Sequence, residues 1–135
     1  MATIKSYTSL DQSKKLAEIL PLESADMMWK KELKYRICSD EHKVSESDFI
    51  YCPIFKEEKV IMSNFDVPCW SLSALLSVLP DSIYDNTDEY SQLEFTKKSV
   101  AYHDINDGIK VGAIKENLVD ACYELVLKLH ERKML

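Results

Sequence analysis

Apolar positions recur at helical spacing in three stretches of the chain and at strand-like spacing between them. In Pro68–Pro80, Leu72, Leu75, Leu76 and Leu79 stand at i, i+3, i+4 and i+7, one stripe of a 3.6-residue helix, with Ser73 and Ser77 toward the opposite side. Pro68 holds the entry extended, and Pro80 ends the helix by about Leu79. A first helix is expected from Ser9 to Leu20. Ser9 and Gln12 have the spacing of a capping box, Leu16, Ile19 and Leu20 form an apolar edge, Lys14, Lys15 and Glu18 face away, and Pro21 is the stop. The strongest helix runs from Asn117 to about Arg132, with Asn117 as cap and Asp120 where a carboxylate meets free amides and the positive end of the helix dipole. Leu118, Ala121, Cys122, Leu125 and Leu129 form its buried stripe, and Tyr123, Val126 and His130 a second one, a face wide enough for a sheet and another helix.

The strand-like runs begin near Met28 and Trp29 and continue through Tyr35–Cys38. Asp40 to Asp48 lie in a polar, acidic connection. Phe49–Cys52 and Lys59–Met62 flank the charged turn Lys56-Glu57-Glu58 and predict a hairpin, with Pro53 placing its first strand at an edge or ending it early. Ser82–Tyr84 and Gln92–Thr96 follow as shorter strands. Asn106-Asp107-Gly108 predicts the clearest hairpin, because these residues tolerate the positive φ of a tight turn. Its regular pairing puts Val100, Tyr102, Ile109, Val111 and Ala113 on the core face, and His103 and Lys110 on the solvent face. Ile19-Leu20-Pro21 and Val78-Leu79-Pro80 both close helices ahead of strand-rich stretches, as two related α-β-β units would. The expectation is one α+β domain over residues 1–135, with an antiparallel sheet of about five or six strands packed by the central and C-terminal helices, plus an N-terminal helix.

Composition narrows the functional classes. The 135 residues suit one core, and 46% hydrophobic and 30% charged residues are ordinary globular usage. Two glycines, Gly108 and Gly112, leave no glycine-rich phosphate cradle. A net charge of −6, from 23 acids against 17 bases, weighs against direct binding of nucleic acid by phosphate neutralisation. No apolar run reaches the length of a membrane span and the first residues carry no signal-peptide core, so a cytoplasmic location with no membrane contact is expected. The four cysteines, Cys38, Cys52, Cys69 and Cys122, form no C-x-x-C pair and read as buried small hydrophobes.

Catalytic spacing is not evident. His42, His103 and His130 are scattered and no cysteine stands at ligand spacing, so no metal or other cofactor is expected. Asp104–Gly108 starts like a calcium loop, but its glycine comes one place early and Lys115 occupies the closing position. Cys122 and His130 are eight residues apart on one helix, roughly 12 Å, too far to touch. Cys69, at the entry of the central helix, is the one candidate for an activated thiol, since helix N-termini lower thiol pKa values.

The segments Pro68-Cys69-Trp70-Ser71-Leu72-Ser73-Ala74-Leu75-Leu76-Ser77-Val78-Leu79-Pro80 and Asn117-Leu118-Val119-Asp120-Ala121-Cys122-Tyr123-Glu124-Leu125-Val126-Leu127-Lys128-Leu129-His130-Glu131 resemble segments of small uncharacterised proteins of gut Bacteroidetes and their phages. The resemblance implies a mobile-element or phage origin and carries no activity with it. The aromatic content points to a non-catalytic module that binds a protein partner or a second copy of itself. Trp29, Tyr51, Trp70, Tyr84 and Tyr90 are its candidate interaction surface, since Trp and Tyr anchor interfaces. Two other classes stand beside it: an acidic decoy for a nucleic-acid-handling protein, using the carboxylates of Asp40–Asp48 and Asp81–Glu94, and a small enzyme with a thiol at Cys69.

Overall fold

The computed structural model describes residues 5–34, 45–56, 65–84, 90–104 and 108–135, with backbone only at Tyr84 and Tyr90. In chain order the elements are α1 (Leu10–Ala17), β1 (Met27–Leu33), β2 (Phe49–Phe55), β3 (Val67–Cys69), α2 (Leu72–Val78), β4 (Ser82–Tyr84), β5 (Tyr90–Phe95), β6 (Ser99–Asp104), β7 (Gly108–Ile114) and α3 (Leu118–Glu131). The class is α+β, as expected, but the strands form two antiparallel sheets instead of one: β2-β1-β3 and β4-β5-β6-β7.

Among the described residues the first sheet has three strands, and a proline stands on each of its outer edges. Lys34 N–H donates to Asp48 O at 2.8 Å and Lys56 N–H to Asp26 O at 3.0 Å. By antiparallel alternation, the hydrogen-bonded β1–β2 pairs are then Met28/Ile54, Lys30/Cys52 and Glu32/Ile50, while Trp29/Pro53 is non-bonded. The donor that Pro53 lacks therefore falls on the outer edge of β2, which runs on to Phe55. The same alternation makes Met27/Cys69 and Trp29/Val67 the bonded β1–β3 pairs and leaves Pro68, opposite Met28, facing away from β1. Neither edge can extend a regular ladder through its proline. The segment 6–8 docks beside β3 through backbone bonds from Thr8 N–H to Trp70 O and from Leu72 N–H to Ser6 O, both 2.9 Å. Lys59–Met62, expected to pair with β2, and Tyr35–Cys38 lie outside the described residues; the partner of β2 is β1.

The helix signals hold at the starts of α1 and α3. Ser9 and Gln12 form the capping box of α1, and Asn117 caps α3 by accepting from Asp120 N–H. The cap of α2 is Ser71, which accepts from Ala74 N–H, so Cys69 belongs to β3 and not to the helix entry. The main core gathers Leu16 and Leu20, Trp70, Leu75 and Leu79, Ile83, Val100 and Tyr102, Val111 and Ala113, and the inner face of α3. Leu72, Leu76 and Leu118 pack only partly buried at its margin. On α3 the second stripe holds in part: Val126 is fully buried, Tyr123 packs partly buried against the core, and His130 is exposed, while Val119 is buried in addition.

The β6–β7 hairpin departs from regular pairing. Tyr102 opposes Val111 but His103 opposes Ile109, so Lys110 is an extra residue in a bulge. The insertion reverses the alternation below it. Ile109, expected on the core face, stands on the outer face beside His103 and is 62% exposed. Lys110 lies within 3.9 Å of the Asp104 carboxylate at the hairpin end. Gly108 holds the turn at φ 78°, the left-handed conformation that favours glycine.

Candidate functional site

Of the five aromatic residues singled out in the sequence, the structure puts two on one surface. Trp29 and Tyr51 share a face of the three-stranded sheet, because the antiparallel register sets Trp29 opposite Pro53, Lys31 opposite Tyr51, Leu33 opposite Phe49 and Met27 opposite Phe55. Trp29 is half-buried: its indole N–H points to Thr8 O at 3.2 Å and Ser13 Oγ at 3.1 Å, and the Tyr7 ring meets it edge-on at 5.8 Å. Lys14 Nζ stands 5.9 Å from the Tyr51 ring centroid. Lys31 Nζ lies 4.5 Å from the Phe49 ring and 5.4 Å from the Phe65 ring, while reaching Glu46 at 3.1 Å. Phe55 and Phe65 remain 64% and 68% exposed. The surface is thus an aromatic strip with lysine stems laid across it, a combination of apolar area and cation–π contact.

No protein-family model matches this chain, and no curated protein or solved structure is similar to it. The reading of its surfaces rests on geometry.

Trp70, expected on the interaction surface, is buried instead. It has no exposed surface, its indole N–H donates to Ser24 Oγ at 3.0 Å, and it packs in the main core, so it cannot belong to an interaction surface in this fold. The reason is its place in the chain: it links β3 to the cap of α2, where the two apolar layers meet. Tyr84 and Tyr90 oppose one another in the β4–β5 pair, and their side chains lie outside the described structure. Phe49 and Phe55 were missed in the sequence because pairing β2 with Lys59–Met62 hid their relation to β1. The signal was there in the alternation Phe49, Tyr51, Pro53, Phe55.

Cys69 sits fully buried under Thr8, within 3.6 Å of its Oγ1 and 3.5 Å of its carbonyl oxygen. Burial pushes its thiol up, outweighing hydrogen bonds from Thr8 and Ser13 that act downward, which is the reverse of an activated nucleophile. The Cys122 thiol is pushed up to about 12 by burial alone. Thr8 and Ser13, both fully buried, share a 2.7 Å hydrogen bond, a polar pocket that nothing in the sequence announces. Among the described residues no group of three or more His, Cys, Asp or Glu side chains is arranged to hold a metal ion, and no helix is long and apolar enough to cross a membrane.

The densest polar cluster stands at the start of α3. Lys5 Nζ donates to Asp120 Oδ1 at 2.6 Å and to Gln12 Oε1 at 2.9 Å; Gln12 Nε2 also donates to Asp120 Oδ1, at 2.9 Å, and Asn117 Nδ2 to Asp120 Oδ2, at 2.9 Å. Burial works to raise the Asp120 carboxyl, but bonds from Lys5, Gln12 and Asn117, with the Lys5 charge, hold it below its ordinary value. Every member has a partner within the cluster, which joins the N-terminal segment, α1 and α3. The cleft beside it, about 180 Å³ and lined by Gln12, Lys115, Asp120, Tyr123 and Glu124, is open to solvent and shallow.

Proposed function

We propose that this chain is a non-catalytic protein-interaction module of mobile-element or phage origin, acting in the cytoplasm, that holds a protein partner on the aromatic face of its three-stranded sheet. The observation that carries the reading is the β1–β2 register, which lines Trp29, Phe49, Tyr51 and Phe55 along one face with Lys14 and Lys31 over the rings. Aromatic side chains with few rotatable bonds supply the contact area of interface anchors, and lysine stems extend it without leaving an apolar patch bare. The thiols of Cys69 and Cys122, pushed up by burial, do not favour the activated-thiol alternative. The origin rests on the resemblance of the α2 and α3 segments to proteins of gut Bacteroidetes and their phages.

Affinity capture from a Bacteroidetes host lysate, with the native chain and with Phe55→Glu and Tyr51→Ala variants, tests the proposal. A partner held at high salt by the native chain and lost by both variants is the expected result. A partner released by salt and indifferent to the variants would favour the acidic-decoy reading instead, and a chain that captures nothing would overturn both.

A further inference from the structure

We propose that residues 5–8 form a strap that opens and closes without unfolding the core, and that Lys5 on Asp120 is its latch. The strap runs beside β3 and the start of α2. Leu72 N–H donates to Ser6 O and Thr8 N–H to Trp70 O, both at 2.9 Å, and Trp70 N–H donates to Thr8 Oγ1 at 3.2 Å. Lys5 Nζ reaches Asp120 Oδ1 on α3 at 2.6 Å. Closed, the strap fixes Trp29. Thr8 O accepts from the indole N–H at 3.2 Å, and Ser13 Oγ, bonded to Thr8 Oγ1 at 2.7 Å, accepts from it at 3.1 Å. The Tyr7 ring meets the indole edge-on, at an interplanar angle of 73°. On the reading of the aromatic face as the partner surface, the strap is its regulator.

Three features let the strap move by itself. None of its residues belongs to the main core, and of the four only Thr8 is fully buried. The bonds that hold it end on polar groups directly beneath it, so water replaces them when the strap lifts and no buried donor or acceptor is orphaned. Lys5 also leaves without undoing either helix start. Asp120 keeps the donors Gln12 Nε2 and Asn117 Nδ2, and Ser9 keeps Gln12 as the other half of its capping box. A segment with so few buried apolar contacts opens at far lower cost than the core unfolds.

With the strap open, the Trp29 indole loses the Thr8 acceptor and the Tyr7 edge, and the Ser13 hydroxyl loses the bond that aims it. The Trp29 end of the strip is then no longer preorganised, and a partner that binds the ordered strip has its affinity scaled by the closed fraction. Cys69 Sγ lies beneath Thr8, 3.6 Å from Oγ1, and is uncovered by the same motion. The Trp29 indole N–H and the Cys69 thiol thus share one cover, and one opening equilibrium governs access to both.

Two rates measured on the free full chain test the proposal: hydrogen exchange of the Trp29 indole N–H, followed by NMR, and labelling of Cys69 by a mild thiol reagent, located by peptide mass spectrometry. The chain has two tryptophans and so two indole signals, told apart by Trp29→Phe. Lys5→Met keeps an apolar stem and removes the ammonium. It should speed both rates by the same factor, about two- to fivefold, the size of one partly exposed ion pair. Lys5→Arg should keep both near native. Leu129→Ala, at a fully buried core position, lowers global stability and should leave both rates unchanged; Val126→Ala, a smaller truncation of the same core, takes its place should that variant not fold. Rates that rise with the loss of core stability would show that only global unfolding frees these groups, and would overturn the proposal. So would native rates in Lys5→Met, or a Trp29 N–H as unprotected in the native chain as in urea. No partner enters the measurement, so a failed strap leaves the partner reading standing, and a failed capture leaves the strap standing.

Discussion

Gly112→Ala is the substitution whose consequence the structure fixes most closely. A Cβ at position 112 would stand 2.7 Å from Ala101 Cβ and 3.0 Å from Val100 O, and neither neighbour is the free end of a flexible side chain. In an open strand, replacing glycine by alanine gains about 0.4–1 kcal/mol by narrowing the unfolded ensemble. Here the strands must part to admit the methyl group, and forced overpacking costs about 1–3 kcal/mol. The net expectation is a loss of about 1–2 kcal/mol. Ala101→Gly alone should cost about 0.5–1 kcal/mol, since it removes a methyl group and adds chain entropy to a strand. In the double variant the methyl has moved from β6 to β7, the 2.7 Å contact is gone, and the backbone approaches to Val100 O at 3.0 Å and to the Cα of residue 101 at 3.2 Å remain. The two changes should therefore couple favourably by about 1 kcal/mol or more. Urea denaturation read by tryptophan fluorescence measures all four corners of the cycle, with buried Trp70 as the core reporter. A Gly112→Ala variant as stable as the native chain, or additive single effects, would show that β6 and β7 are not packed this closely.

Leu75→Ala and Leu125→Ala, both at fully buried positions in the main core, should each cost about 2–5 kcal/mol in the same assay; unchanged stability in both would remove the core described above. Asp120→Asn should destabilise by about 1 kcal/mol near neutral pH, the scale of a lost charge-assisted bond at a partly exposed helix start. Because the Asp120 carboxyl is held below its ordinary 3.8, its contribution is complete at higher pH and fades as the pH drops through the lowered folded value, so the native and variant stabilities should converge in acid; a gap that widens below pH 3.8 would refute the assignment. Cys69 should react with a mild thiol reagent far more slowly in the native chain than in urea, and equal rates would contradict its burial beneath Thr8.

Local chemistry was enough to determine where α1 and α3 begin. The Ser9/Gln12 box and the Asn117 cap act over three residues, a range at which side-chain type decides the outcome before any distant contact forms. The α+β class and most of the core residues followed from the same periodicities. Pairing between strands was decided only in three dimensions, because alternation says which residues share a face and not which strand lies alongside. Thus β2 joined β1, and Pro53, legible as an edge marker, and Pro68, legible as the extended entry to the central helix, came to stand on the outer edges of the three described strands. The single extra residue at Lys110 reversed the face of Ile109, since a one-residue slip changes the side of everything beyond it. Trp70 and Trp29 are both tryptophans beside polar residues, and nothing local separates them; the meeting of β3, α2 and the N-terminal segment buries the first, and the sheet register leaves the second on the surface.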